Sequence, residues 1–190
     1  QAAETIEATV ARLPPGSFEY LIITDDASDD DLHSIVERMN EKGLDIQFHR
    51  HQETRGYGGN QKTCYKYALL TKADVIVMVH PDGQYDAALV PHLVGFIEAG
   101  VVDIVLGSRI LRRKDVLEGG MPVLKYLLNR SFTLLQNLVL GYNLPEYHTG
   151  YRAYHRKVLE RLPFDIFSEG FVFDQELLAS ARVHDFKVGA

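Results

Sequence analysis

The sequence has little cysteine, no tryptophan, no long apolar run and no excess of basic charge. Its single cysteine in 190 residues, Cys64, excludes an internal disulfide and fits a small buried side chain in a reducing, cytoplasmic compartment. No Cys/His set has the spacing of a structural zinc site. The 20 Lys and Arg against 26 Asp and Glu give a net charge of −6, which provides no global basic field for nucleic acid. Any polyanion must therefore be bound by local groups.

The apolar content of 46% suits one globular domain, and no linker interrupts residues 1–190. A membrane span needs about 18 consecutive apolar residues, and the longest candidate, 123–140, is interrupted by Lys125 and Arg130 among other polar residues. Apolar runs alternate with segments of helical periodicity. The predicted strands are 18–24, 46–51, 74–79 and 103–106, and the predicted helices between and after them are 30–42, 60–70, 88–99 and 122–140. This order predicts an α/β fold with an open, mostly parallel sheet and helices on both faces, in which ligands bind at the carboxyl ends of the strands.

Polar residues follow the first and third predicted strands. Asp25 and Asp26 end the first strand, where they either meet a ligand or cap the next helix. Asp82 and Gln84 follow the third strand and offer oxygen atoms of the kind that Mg²⁺ or Mn²⁺ accepts, with His80 as a third candidate ligand. The alternative for 81–83, Pro-Asp-Gly, is an ordinary β-turn.

Two further segments carry candidate anion contacts. Arg55, Gly56 and Gly59 belong to a glycine-rich segment that either cradles a phosphate at a helix N-terminus or forms a simple turn. Dinucleotide and Walker patterns are absent from it. Ser108 and Arg109 end the fourth strand, before a basic run at 112–114 that is either a phosphate contact or a solvated face.

Together, these segments resemble the family 2 glycosyltransferases of GT-A fold, particularly the dolichol- and polyprenyl-phosphate sugar synthases. The matching segments are Thr-Asp-Asp-Ala-Ser-Asp at 24–29, Arg-Gly-Tyr-Gly-Gly-Asn at 55–60, His-Pro-Asp-Gly-Gln-Tyr-Asp at 80–86, Gly-Ser-Arg at 107–109 and Glu-Tyr-His-Thr-Gly-Tyr-Arg-Ala at 146–153. The resemblance implies inverting transfer of a sugar from a UDP- or GDP-sugar to a lipid phosphate, such as a polyprenyl phosphate, or to a saccharide. It also implies a divalent metal and an enzyme at the inner face of a membrane, with peripheral membrane contact.

The resemblance assigns roles to individual residues. Asp25 and Asp26 would contact the base and ribose, with Arg55, Gly56, Gly59 and Ser108 completing the donor site, while Asp82 and Gln84 would hold the metal and the diphosphate. Arg109 and Arg152 would face phosphate oxygens. A phosphate acceptor is already ionised and needs no general base, whereas a hydroxyl acceptor requires a carboxylate. Glu146, Glu169 and Asp174 are the candidates for that carboxylate.

Two residues depart from the family pattern. His80 stands where the synthases carry the first Asp of the metal motif, and Glu146 replaces an Asp. The resemblance also leads us to expect that 1–190 is a catalytic core without the family's first strand and C-terminal segments. Two other functions remain open at this stage: a nucleotidyltransferase of related topology, and a sugar-nucleotide-binding domain that has lost catalysis.

Overall fold

The computed structural model describes residues 2–108 and 123–190, with the backbone alone for 123–126. The predicted phosphate contact Arg109 and the basic run at 112–114 lie outside the described residues. The α-helices are α1 (Ala2–Ala11), α2 (Leu32–Glu41), α3 (Gly56–Leu70), α4 (Val90–Glu98), α5 (Val123–Leu140), α6 (Arg156–Arg161) and α7 (Phe173–Val183). The strands are β1 (Leu21–Asp25), β2 (Ile46–Arg50), β3 (Val75–Met78), β4 (Ile104–Leu106), β5 (Arg152–His155) and β6 (Val188–Gly189).

The strands form two sheets. In the smaller sheet, β1 pairs in parallel with β2, and Asp25 lies opposite Arg50. The larger sheet has the order β3-β5-β4-β6, in which β5 runs antiparallel to both β3 and β4 while β6 runs parallel to β4. The predicted α/β class is confirmed.

Strand β5 is the main difference from the predicted elements, because none of the predicted strands or helices covers residues 152–155. Its four residues, Arg-Ala-Tyr-His, are too few and too polar to show strand periodicity. The strand forms because Arg152 and Tyr154 are fully buried and the β5 backbone pairs with β3 on one side and β4 on the other. Tertiary contacts therefore decide this element.

The hydrophobic core has separate clusters on the two sheets. The larger cluster packs α3 and α7 against β3, β4 and β5 around Tyr65, Tyr154 and Phe173. A second cluster packs α1 and α2 on β1 and β2 through residues such as Val36 and Met39, and a third packs α4 on the larger sheet.

A cavity of about 550 Å³ lies between β1 and β3, and its walls are mainly apolar side chains of both strands and of α1, α3 and α4. The two strands run in the same direction along it. After β1, Asp26 bonds to the amino end of α3, and after β3, His80 contacts Tyr57 in the same turn of α3. Before β1, Tyr20 contacts the backbone of Lys72, just ahead of β3.

Helix α5 exposes a broad apolar face. Its exposed large apolar residues are Leu127, Leu128, Phe132, Leu134, Leu135, Leu138 and Val139. Within 2–108 and 123–190, no helix combines the length and apolar character that crossing a membrane requires.

Candidate functional site

The site forms where β1, β3 and β4 end. Asp25, at the end of β1, is only 3% exposed and organises the turn that follows it. Its Oδ1 accepts a hydrogen bond from the Ser28 backbone N–H at 3.1 Å, and its Oδ2 lies 3.4 Å from Nε of Arg50. In the described part of the chain, that buried Oδ2 atom accepts no hydrogen bond. Asp25 thus stabilises the turn and lies beside the Arg50 guanidinium.

Asp26 binds the amino end of α3. Its carboxylate accepts hydrogen bonds from the backbone N–H groups of Arg55 at 2.8 Å and Gly56 at 2.9 Å, and its Oδ1 lies 2.8 Å from Nδ1 of His51. Partial burial acts to raise the pKa of Asp26, but the hydrogen bonds from Arg55, His51 and Gly56 outweigh it and hold that pKa below its ordinary value. An ionised carboxylate at a helix N-terminus is stabilised by the free N–H groups there.

The glycine-rich segment is the first turn of α3 rather than a loop before it, since the helix begins at Gly56. The N–H groups of Gly58 and Gly59 both donate to the backbone carbonyl of Glu169, at 2.7 and 3.2 Å. Together with the bonds to Asp26, these contacts use the amides that a phosphate would need. The expected phosphate cradle at Arg55, Gly56 and Gly59 is therefore not what this structure presents.

The glycines serve close packing instead. A Cβ at Gly58 would overlap the Ser168 carbonyl oxygen and lie 2.8 Å from Cβ of Phe173. Lys62, which is 3% exposed, contacts the neighbouring 167–169 segment. It bonds to the Phe167 carbonyl and forms an ion pair with Glu169 at 2.7 Å.

The predicted metal ligands Asp82 and Gln84 lie on an exposed turn after β3. Oδ1 of Asp82 accepts a hydrogen bond from the Gln84 backbone N–H at 3.0 Å, and Gly83 between them has a φ of +72°. The β-turn is therefore present, and both side chains remain at the surface. Among the residues that the structure describes, no group of three or more His, Cys, Asp and Glu side chains is arranged to hold a metal ion. The carboxylate and amide oxygens fit an incomplete shell for a hard cation, whose other ligands would come from a diphosphate and water.

His80 lies behind this turn, against α3 and the segment before β5. Its ring stacks on Tyr57, with 5.5 Å between centroids and 21° between planes, and Nε2 lies 3.3 Å from the Tyr57 hydroxyl. A Cβ at Gly150 would overlap the His80 ring. His80 is thus held between Tyr57 and Gly150.

Arg152 is wholly buried, which changes the role expected for it. Its guanidinium donates to the carbonyls of Thr149 at 2.7 Å and Tyr147 at 3.0 Å, and it pairs with Oδ2 of Asp174 at 3.3 Å. A group enclosed in this way does not meet a phosphate at the surface. In this structure Arg152 positions Asp174, and Tyr57 joins the pair by donating to Asp174 at 2.8 Å. No local pattern singles out Tyr57 as a site residue, because an aromatic residue in a helix usually indicates core packing.

The end of β4 meets the segment before β5. The Ser108 hydroxyl lies 3.4 Å from Oε2 of the buried Glu146, and the Thr149 hydroxyl donates to the Gly107 carbonyl at 2.6 Å. The Gly150 N–H donates to the Tyr85 hydroxyl at 3.0 Å, next to the metal-motif turn. The structure therefore connects the ends of β1, β3 and β4 through the amino end of α3 and the 146–152 segment.

Comparison with known proteins identifies the family. The profile described as "Glycosyl transferase family 2" matches residues 2–163. The chain belongs to this family. A curated relative, the UDP-N-acetylglucosamine–dolichyl-phosphate N-acetylglucosaminyltransferase of Methanococcus voltae, is 24% identical over 97% of this chain and 77% of its own length. The glycosyltransferase AglD of Haloferax volcanii is 25% identical over 97% of this chain but only 28% of its own length. The chain thus spans less than a third of that relative.

Solved structures establish the GT-A fold. The glucosyl-3-phosphoglycerate synthase of Mycobacterium tuberculosis, crystallised with Mn²⁺, UDP and phosphoglyceric acid, superposes with a TM-score of 0.70 at 21% identity. The match covers 100% of this chain and 64% of the synthase chain. At this identity, the likeness describes the fold and not the substrate.

Substituting Gly58 tests the packing of α3 against the 168–170 segment. Gly58→Ala should lower the free energy of unfolding by about 1–3 kcal/mol because the added methyl group overlaps the Ser168 carbonyl. Gly95→Ala is the matched control, since Gly95 lies in α4 with open space around its Cβ position, and it should be stabilising by about 0.5–1 kcal/mol. Urea denaturation measures both values. Equal effects of the two substitutions would contradict the packing role.

The lowered pKa of Asp26 makes part of the stability pH-dependent. A carboxyl whose folded pKa lies below its ordinary value of 3.8 contributes stability that is fully present above that value and is lost as the pH falls through the folded pKa. The difference in unfolding free energy between wild type and Asp26→Asn should therefore be large at pH 7 and shrink below about pH 4. Asp29→Asn removes an exposed carboxylate in the next turn and serves as the matched control for the loss of charge. Urea denaturation across this range provides the measurement.

Proposed function

We propose that this chain is the catalytic domain of a metal-dependent, inverting glycosyltransferase that uses a UDP- or GDP-sugar. The observation that carries the proposal is the meeting of the ends of β1 and β3 at the amino end of α3, with the exposed side chains of Asp82 and Gln84 on the turn after β3. Family membership and the GT-A fold support the reaction class. The M. tuberculosis synthase of the same fold was crystallised with UDP and Mn²⁺.

Asp82 and Gln84 would hold a divalent cation together with the donor diphosphate. A cation bound there would offset the negative charge that develops on the leaving nucleoside diphosphate. Asp25 stays a proposed base or ribose contact. Arg109 stays a proposed phosphate contact.

The surroundings of the candidate general bases favour an acceptor that needs none. Asp174 is buried and ion-paired with Arg152, Glu146 is fully buried, and Glu169 pairs with Lys62. A carboxylate that is buried or already held in an ion pair is poorly placed to accept a proton from an incoming hydroxyl group. These surroundings support a lipid phosphate as acceptor over a hydroxyl, in line with the dolichyl phosphate in the name of the Methanococcus voltae relative.

The exposed apolar face of α5 supports peripheral contact with the membrane that carries such an acceptor. Phe171, which is 79% exposed, stacks on Tyr57 and so adds an apolar side chain beside the candidate site. A surface with exposed apolar side chains binds at a lipid interface because those side chains become buried in the lipid.

Removing the Asp82 carboxylate tests the proposed metal and donor site. Asp82→Ala should lose nearly all Mn²⁺-dependent binding of UDP and GDP, measured by isothermal titration calorimetry with and without Mn²⁺. Asp45→Ala is the control, because Asp45 is also an exposed carboxylate and lies at the amino end of β2. Unchanged affinity in Asp82→Ala would overturn the metal assignment. Pyrophosphate release from a nucleoside triphosphate and a sugar phosphate would favour a nucleotidyltransferase instead.

We also propose that a β-strand lies between β1 and β3 in the complete fold. The support is the cavity of about 550 Å³ between two parallel strands whose facing edges are not paired with each other. Protein interiors rarely contain voids larger than a water molecule. A strand in this position would be covered by helices on both sides and would therefore be apolar on both faces.

An N-terminal extension tests whether the cavity between β1 and β3 accepts a strand. Five apolar β-branched residues joined to Gln1 by a short Gly/Ser connector should slow hydrogen exchange at the amides of β1 and β3. A control extension with two prolines among the five residues cannot complete the ladder and should leave exchange fast. If both extensions behave alike, the cavity does not accept a strand.

A further inference from the structure

The turn after β1, residues 25–28, is bonded at both ends to the end of β2. At its start, the Asp25 carbonyl accepts a hydrogen bond from the His51 N–H at 2.9 Å. At its finish, the Ser28 carbonyl accepts a hydrogen bond from Nη2 of Arg50 at 2.6 Å. The second contact is made by a side chain that reaches across from the neighbouring strand, so a single substitution can remove it.

Arg50 is suited to this contact by its place in the sheet and by the shape of its guanidinium group. It lies opposite Asp25 in the parallel register of β1 and β2, and its Nε comes within 3.4 Å of the Asp25 carboxylate. A carboxylate that is only 3% exposed is costly to bury unless an opposite charge lies beside it. The planar guanidinium meets this carboxylate with one nitrogen and the Ser28 carbonyl with another, whereas a lysine offers a single point charge.

The turn needs support from its neighbours because Ala27 has an unfavourable backbone conformation. Its φ is +57°, in the left-handed region, where Cβ comes too close to the following carbonyl oxygen. Such a conformation persists in a residue other than glycine when the surrounding contacts fix it. Here Ser28, the next residue, is held on both sides: its N–H donates to the Asp25 carboxylate at 3.1 Å, and its carbonyl accepts from Arg50.

We propose that Arg50 is a positioning residue that holds the 25–28 turn in the left-handed conformation that receives the nucleoside part of the donor. This inference rests on the proposed function, in which Asp25 and Asp26 contact the base or ribose. On its other side, the turn is joined to the amino end of α3 by the bonds from backbone N–H groups to Asp26. Loss of Arg50 therefore releases the β2 side of the turn and leaves the α3 side attached.

Amide hydrogen exchange measures the turn in the protein without ligand. In Arg50→Ala, the Ser28 N–H should exchange about tenfold faster, because the turn opens more often when its carbonyl is no longer held. Unchanged exchange at Ser28 would overturn the proposal.

Arg182→Ala is the matched control for the loss of a surface arginine. Like Arg50, Arg182 is about half exposed, donates to a backbone carbonyl, that of Leu140 at 2.8 Å, and lies near a carboxylate, that of Asp185 at 3.5 Å. It joins the ends of α5 and α7, so its removal should leave exchange at Ser28 unchanged.

Isothermal titration calorimetry with UDP and GDP in the presence of Mn²⁺ measures the effect on the donor site. If the competent turn falls to about a tenth of the population in Arg50→Ala, the apparent Kd rises about tenfold. Arg50→Lys keeps a positive charge beside Asp25 without the second contact, so it should recover only part of this loss. The lysine variant also serves for the exchange measurement if the uncompensated Asp25 charge prevents Arg50→Ala from folding.

A second substitution separates positioning from a general loss of stability. Glycine adopts the left-handed region freely, so adding Ala27→Gly to Arg50→Ala should return the Kd to within about threefold of the wild-type value. Ala27→Gly alone should leave the Kd unchanged, because Arg50 already holds the turn.

No recovery in the double variant would contradict the positioning role, as would an equal loss of nucleotide binding in Arg182→Ala. If the wild type binds neither UDP nor GDP, the proposed function fails. Exchange at Ser28 still decides in that case whether Arg50 holds the turn.

Discussion

The amino end of α3 carries backbone N–H groups that need acceptors, and the way they are satisfied organises the rest of the site. Asp26 takes two of them and the Glu169 carbonyl takes two more, so residues that follow β1 and precede α7 are both held on one helix turn. Because Gly58 and Gly59 have no side chains, the 168–170 segment can approach the helix closely enough to make these bonds. The N–H groups of Gly56, Gly58 and Gly59, which could bind an anionic ligand, bond instead to Asp26 and to the Glu169 carbonyl.

The buried pair of Arg152 and Asp174 is the second constraint. Taking both charges out of water is costly, and the cost is offset only when further hydrogen bonds satisfy both groups. The guanidinium bonds to the carbonyls of Thr149 and Tyr147, and the carboxylate accepts from Tyr57 and Gln61. This arrangement joins β5, α3 and α7, and it extends through Tyr57 to His80.

The elements with strong hydrophobic periodicity were predictable from the sequence. The elements that form only through contacts with distant segments were not. The apolar run of β3 and the helical spacing of α2 appear in the sequence because local propensity and burial favour the same structure there. Strand β5 has no such pattern, since its burial depends on neighbours on both sides. The turn at Asp82 was expected from Pro-Asp-Gly, and it keeps the candidate ligands at the surface.

The sequence alone determined the α/β class, the absence of an internal disulfide and the set of polar segments that resemble family 2 glycosyltransferases. These features depend only on residue type and on spacing along the chain, which are the same before and after folding. Only the tertiary structure decided which groups are already bonded to protein and which can meet a ligand. Asp26 and the α3 amides bond to each other, Arg152 turns inward, and Tyr57 stands between Asp174 and His80. A hydrogen bond between residues distant in sequence has no local signal, so it appears only when the fold brings its donor and acceptor together.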